Sequence, residues 1–91
     1  TIFRALGFRV EVERMLATGR IDMIVEVPSY IYVMELKLSN NGGISAAESQ
    51  MKEKSYTEPF KADKRKVIAL AVELDETGKG LIDWKEVDES L

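Results

Sequence analysis

"GRIDMIVEVPSYIYVMELKL", residues 19–38, decides the fold. It reads as two apolar strands, 20–27 and 30–38, joined by a tight turn at Pro28-Ser29. Three charged residues, Asp22, Glu35 and Lys37, interrupt the apolar runs, and a charge inside a sheet is costly unless something pairs it. If the turn is centred between Pro28 and Ser29, Asp22 falls directly opposite Glu35, and Lys37 points the same way two residues on. The opposite face collects Ile21, Met23, Val25, Tyr32, Met34 and Leu36, and is expected to pack on a helix. A loop of odd length would break this register.

Two carboxylates opposed in this way stand about 4.5–5.5 Å apart at Cβ and repel. A proton, a cation or a nearby lysine offsets the repulsion. A divalent metal is one solution. Asp22, Glu35 and the backbone carbonyl of Leu36 make a hard-oxygen set of the kind magnesium takes. Lys37 would stand beside the metal, where a cation orients a nucleophilic water or stabilises a developing phosphorane charge. The preceding "FRVEVER" alternates strictly, as a half-buried strand does. With a turn near Ala17-Thr18, Glu13 also falls opposite Asp22, as a third carboxylate. A plainer reading stands beside this one. Alternating charges are usually the solvated face of a strand, and spacing alone favours that. A second acidic-x-Lys triplet, Asp83-Trp84-Lys85, occurs on an expected edge strand among other charges.

Outward from this hairpin, "TIFRALG" reads as the last turns of a helix capped by Gly7, so the chain is expected to begin inside an element, as a fragment of a longer protein. "NNGG" reads as a loop. Ser45 with Glu48 forms a capping-box pattern for a helix to about Thr57, where Pro59 disfavours helix at Glu58. "VIALAVEL", 67–74, suits a central strand buried on both faces. "ETGKG" is a turn without phosphate-loop spacing, and "LIDWKEV" is a last edge strand. The order predicts a single domain over 1–91: an α/β sandwich around a mixed β-sheet flanked by helices.

Composition narrows the chemistry. The chain has 91 residues, 45% hydrophobic and 32% charged, with no cysteine and no histidine. Thiolate chemistry and cysteine zinc sites are excluded, and any metal must be held by oxygen, which favours magnesium, manganese or calcium. No apolar run approaches the roughly 20 residues of a membrane span, and a cytoplasmic location is expected. The net charge of −3 gives no global pull on nucleic acid. The basic cluster Lys61, Lys64, Arg65 and Lys66 reads equally as a phosphate contact or a solvated loop. Tyr30, Tyr32, Phe60 and Trp84 read as core or rim aromatics.

The pattern Asp22, then Glu35-Leu36-Lys37, resembles the PD-(D/E)XK nuclease superfamily, whose restriction-endonuclease-like core runs αβββαβ; here a final edge strand is added. "GRID" stands in place of the Pro-Asp. "GRID…YIYVMELKL…AAESQMKEKSYTEPF…KVIALAV…DWK" looks like bacterial proteins that pair such a C-terminal domain with an N-terminal AAA-type ATPase domain. The resemblance implies metal-binding roles for Asp22 and Glu35, a catalytic role for Lys37, and an active-site glutamine at Gln50 in the helix after the third strand. Tyr56 follows six residues later, where the RecB-like branch carries a compact Gln-x-x-x-Tyr. Many members also take a glutamate from the first helix; "TIFRALG" has none, and Glu13 is the local substitute.

The resemblance therefore implies a Mg2+- or Mn2+-dependent hydrolase of nucleic-acid phosphodiesters, with DNA ahead of RNA, linked to an ATPase domain. Two alternatives stay open. One is an inactive nuclease-fold module that binds nucleic acid or regulates the ATPase. The other is an assembly domain whose edge strand pairs with another chain to form a homodimer.

Overall fold

The computed structural model describes residues 9–15 and 20–88. The expected N-terminal helix and the turn at Ala17-Thr18 lie outside the described residues. Five strands, β1 (Arg9–Met15), β2 (Arg20–Glu26), β3 (Tyr30–Leu38), β4 (Lys66–Leu74) and β5 (Leu81–Val87), form one sheet in chain order. β3 and β4 are parallel and the other neighbours are antiparallel, so the sheet is mixed. A helix, α1 (Gly43–Lys54), crosses between the parallel pair. Parallel neighbours require such a crossover, because a tight turn cannot join them. Among the described residues no helix is long and apolar enough to cross a membrane.

The hairpin takes the register set by a turn at Pro28-Ser29. Met23 pairs with Met34 and Val25 with Tyr32, and the Val27 N–H closes the turn on the Tyr30 carbonyl at 2.9 Å. β4 lies between β3 and β5, as its unbroken apolar run requires.

The helix packs on the face that carries Asp22 and Glu35, not on the opposite one. Ile24, Ile31 and Val33 share that face, and with Ala69 and Ala71 of β4 they are buried in one cluster with Ala47 and Met51 of α1. The reason is that both faces of β2 and β3 are apolar. Ile24, Ile31 and Val33 outweigh the charges at the far end, and Ala69 and Ala71 let the helix come close. Each fully buried isoleucine or valine contributes about 1.5–3 kcal/mol. The charged residues thus lie at one end of the core rather than on a solvated surface.

The start of α1 also differs from the sequence pattern. It begins at Gly43, and no side chain of its own N-cap residue bonds back to it. The cap comes from β4: Glu73 Oε1 accepts the Ile44 N–H at 3.0 Å while its Oε2 accepts the Ser39 hydroxyl at 2.6 Å. A Cβ at Gly43, which has φ +57°, would stand 2.6 Å from Glu73 Oε1, so glycine is what lets this carboxylate reach the helix. Glu48, freed from capping, pairs with Lys52 and Lys85. The helix stops at Lys54, three residues short of Thr57, because Ser55 adopts a left-handed conformation with φ +50°. Pro59 sits in a separate 3-10 turn, Glu58–Phe60, whose Phe60 plugs the core.

Candidate active site

The β2–β3 ladder ends at the Met23–Met34 pair. Beyond it, the Asp22 side chain acts where a backbone acceptor would: Oδ2 accepts the Leu36 N–H at 2.9 Å. Glu35 lies on the same face, only 2% exposed. The Lys37 ammonium is 3.5 Å from Glu35 Oε2, with its side chain 28% exposed. Lys37 therefore joins a buried carboxylate to solvent.

Gln50 reaches the same carboxylate through a tyrosine. Its Nε2 donates to the Tyr56 hydroxyl at 2.7 Å, and that hydroxyl lies close enough to the Glu35 carboxylate to lower its pKa. Tyr56 is fully buried. The left-handed turn at Ser55 folds the chain back, so a tyrosine six residues from Gln50 meets it despite lying outside the helix. The sequence signal for Tyr56 was its place in "QMKEKSY"; the reversal that makes the spacing work is not visible in a periodicity.

The electrostatics follow from burial. Desolvation raises the Glu35 carboxyl above its ordinary 4.5, and the nearby Asp22 charge raises it further; Lys37 and the Tyr56 hydroxyl pull the other way. Tyr56 is pushed up to about 12, first by burial, with the Gln50 hydrogen bond opposing and the Glu35 and Asp22 charges adding to the rise. Glu35 Oε1 is buried and has no hydrogen-bond partner. An unmet buried acceptor costs about 1–3 kcal/mol, and more when charged. A carboxylate so placed wants a proton or a cation.

The structure thus brings Asp22, Glu35, Lys37 and Gln50 to one place and adds Tyr56. Glu13 is different. Its neighbours Val12 and Arg14 pair with Met23 and Ile21, so Glu13 falls across from Asp22, but it is exposed and has φ +60°. Among the described residues no group of three or more His, Cys, Asp or Glu side chains is arranged to hold a metal. The basic cluster is partly structural: Arg65 is tied at 2.8 Å to both Glu26 and Asp63, and Lys61 to Glu58 at 2.8 Å. Phe60 is core, Tyr30 stacks on Tyr32 with ring centroids 6.0 Å apart, and Trp84 is 60% exposed.

A family model of the PD-(D/E)XK nuclease superfamily matches residues 1–84, a span that holds every residue of this site. An uncharacterized protein in the vnfD 5′ region of Azotobacter chroococcum mcd 1 is 32% identical over 89 residues, which is 98% of this chain and 17% of that protein. The chain therefore spans about one sixth of that relative's length. No solved structure matches it. An acidic residue closing the β2–β3 ladder, a Glu-x-Lys on β3, a helical glutamine turned toward them, and a family match over nearly the whole chain converge: the chain belongs to the PD-(D/E)XK nuclease superfamily.

Proposed function

We propose that this domain hydrolyses nucleic-acid phosphodiesters with magnesium or manganese, DNA ahead of RNA. The observation that carries the reading is Glu35 Oε1, buried without a partner next to Asp22, while Oε2 is held by Lys37. Residues fit for the ion are Asp22, Glu35 and the Leu36 carbonyl. The Leu36 N–H points toward Asp22, and in a strand the carbonyl of the same residue faces the same neighbour. Such an ion supplies Lewis-acid polarisation of a phosphoryl oxygen and lowers the pKa of water. Glu13, across from Asp22 in register but exposed, is the acidic residue that a rotation of its side chain would bring in as a further ligand.

The chain's own groups do the rest. Lys37, tied to Glu35 yet part-exposed, presents a fixed cation to the developing negative charge on the phosphate. Tyr56, with its hydroxyl raised to about 12, stays protonated at neutral pH and lies close to Glu35. Gln50 fixes that hydroxyl and lines the edge of the site, where it orients the water or the substrate. In the reaction a water oxygen bonds to phosphorus, one P–O ester bond breaks, and the leaving oxygen takes up a proton. The whole protein, by the same reading, couples this domain to an N-terminal ATPase domain.

The deciding experiment incubates full-length protein with labelled single- and double-stranded DNA and RNA, in magnesium and in manganese. Cleavage that disappears with Lys37→Ala supports the reading. A second reading, a domain that binds without cutting, is favoured by one observation: no third acidic ligand converges among the described residues. Nucleic acid retained without cleavage, and no metal-dependent shift in melting temperature, would select it.

A further inference from the structure

The two edges of the sheet are not alike. β1 carries Glu13 at φ +60° in its middle, a kink that spoils the edge for another strand. β5 has no positive-φ residue between Leu81 and Val87, and Leu81, Ile82 and Trp84 are 61%, 57% and 60% exposed. Its pairing with β4 shifts register between Asp83 and Leu81, so the regular stretch is Asp83–Val87. An exposed regular edge with outward N–H and carbonyl groups is a template for another strand. The Trp84 N–H does turn outward, since its acceptor is the neighbouring Asp83 Oδ1 at 2.8 Å.

We infer that two copies of this chain associate by antiparallel pairing of their β5 edges, centred on Trp84, to give a continuous ten-stranded sheet. The charge order of "LIDWKEV" selects this register. Centred on Trp84, Asp83 lies opposite the partner's Lys85, and the two-fold axis makes that pair twice. The two tryptophans then face each other on the side away from α1, since Trp84 pairs with Val72 on that face. A slip either way opposes Asp83 with the partner's Asp83, or Lys85 with the partner's Lys85, and like charges directly opposite destabilise a ladder. The strand is thus self-complementary in one register only, which is what an isologous interface demands. Asp83 and Lys85 lie on the α1 face, across from Glu73 and Ala71. On forming the pair, Asp83 leaves the Trp84 N–H, which the partner's backbone then takes, and joins Lys85 beside Glu48.

The test is sedimentation equilibrium of the chain at low salt over a wide concentration range. The wild type shifts from monomer to dimer mass. Asp83→Lys and Lys85→Asp, each checked for folding by circular dichroism, each weaken association about tenfold or more. Mixed in equal amounts they associate again, because one chain now offers two lysines at these rungs and the other two aspartates. A wild type that stays monomeric throughout overturns the inference. So do single variants that dimerise like the wild type, or a mixture of folded variants that fails to associate.

Discussion

Asp22 Oδ2 and the Leu36 N–H, 14 residues apart in sequence, meet at 2.9 Å where the hairpin ladder stops. One carboxylate therefore does two things. It closes the backbone of β3 where pairing ends, and it places negative charge beside Glu35.

These two roles separate by mutation. Asp22→Asn keeps an oxygen for the Leu36 N–H and removes the charge; Asp22→Ala removes both. Asp22→Ala should lose about 1–3 kcal/mol in urea unfolding, and Asp22→Asn distinctly less. Both should bind magnesium more weakly, by calorimetric titration. Equal destabilisation by the two variants would mean that the hydrogen bond contributes nothing.

Glu35 predicts a pH dependence of the metal-free domain. Its folded carboxyl titrates above the ordinary 4.5, so the fold favours the protonated form. That stabilisation is complete below 4.5 and is lost as pH rises through the raised value. Metal-free wild type should therefore melt lower at pH 7 than at pH 5, whereas Glu35→Gln should show a flatter profile. Adding magnesium at pH 7 should raise the melting temperature of the wild type more than that of the variant. Parallel profiles for the two proteins would count against the buried carboxylate.

Lys37 bears on rate. Lys37→Ala should still bind metal and nucleic acid, but cleave about 10²–10³ more slowly, the usual cost of removing one electrostatic stabiliser. The readout is single-turnover cleavage at saturating enzyme. Loss of binding with an unchanged single-turnover rate would reassign Lys37 to substrate affinity.

Tyr56 and Gln50 should act as one unit. Tyr56→Phe leaves the Gln50 amide without its acceptor and takes away the hydroxyl that lowers the Glu35 pKa. It should destabilise the domain by about 1–3 kcal/mol and raise the Glu35 pKa further, as read by carboxyl-carbon NMR. Gln50→Ala combined with Tyr56→Phe should cost less than the sum of the two changes, because they break the same chain of bonds.

Much of this site was legible in the sequence because a strand has a period of two. Once the turn was placed at Pro28-Ser29, the common face of Asp22, Glu35 and Lys37 followed, and the observed Met23–Met34 pair is that register. The side on which the helix lies was not legible. Both faces of β2 and β3 are apolar, so alternation could not choose between them. Nor was the helix start. Ser45 and Glu48 fit a local capping pattern, yet Glu73, 29 residues from Ile44, supplies the cap, and a contact across the fold leaves no local trace. Tyr56 fell between these cases, present in the motif but displaced by a backbone reversal.

That reversal has a consequence for how the motif can vary. In a compact Gln-x-x-x-Tyr, both residues ride one helical face, and any insertion rotates the tyrosine away. Here the helix ends at Lys54 and Ser55 hands the chain back, so Tyr56 is aimed by a hinge residue rather than by helical phase. The distance between Gln50 and Tyr56 is thus set by the left-handed residue at Ser55, a conformation that glycine or asparagine adopts at less cost, so Ser55→Gly should keep the Gln50–Tyr56 contact.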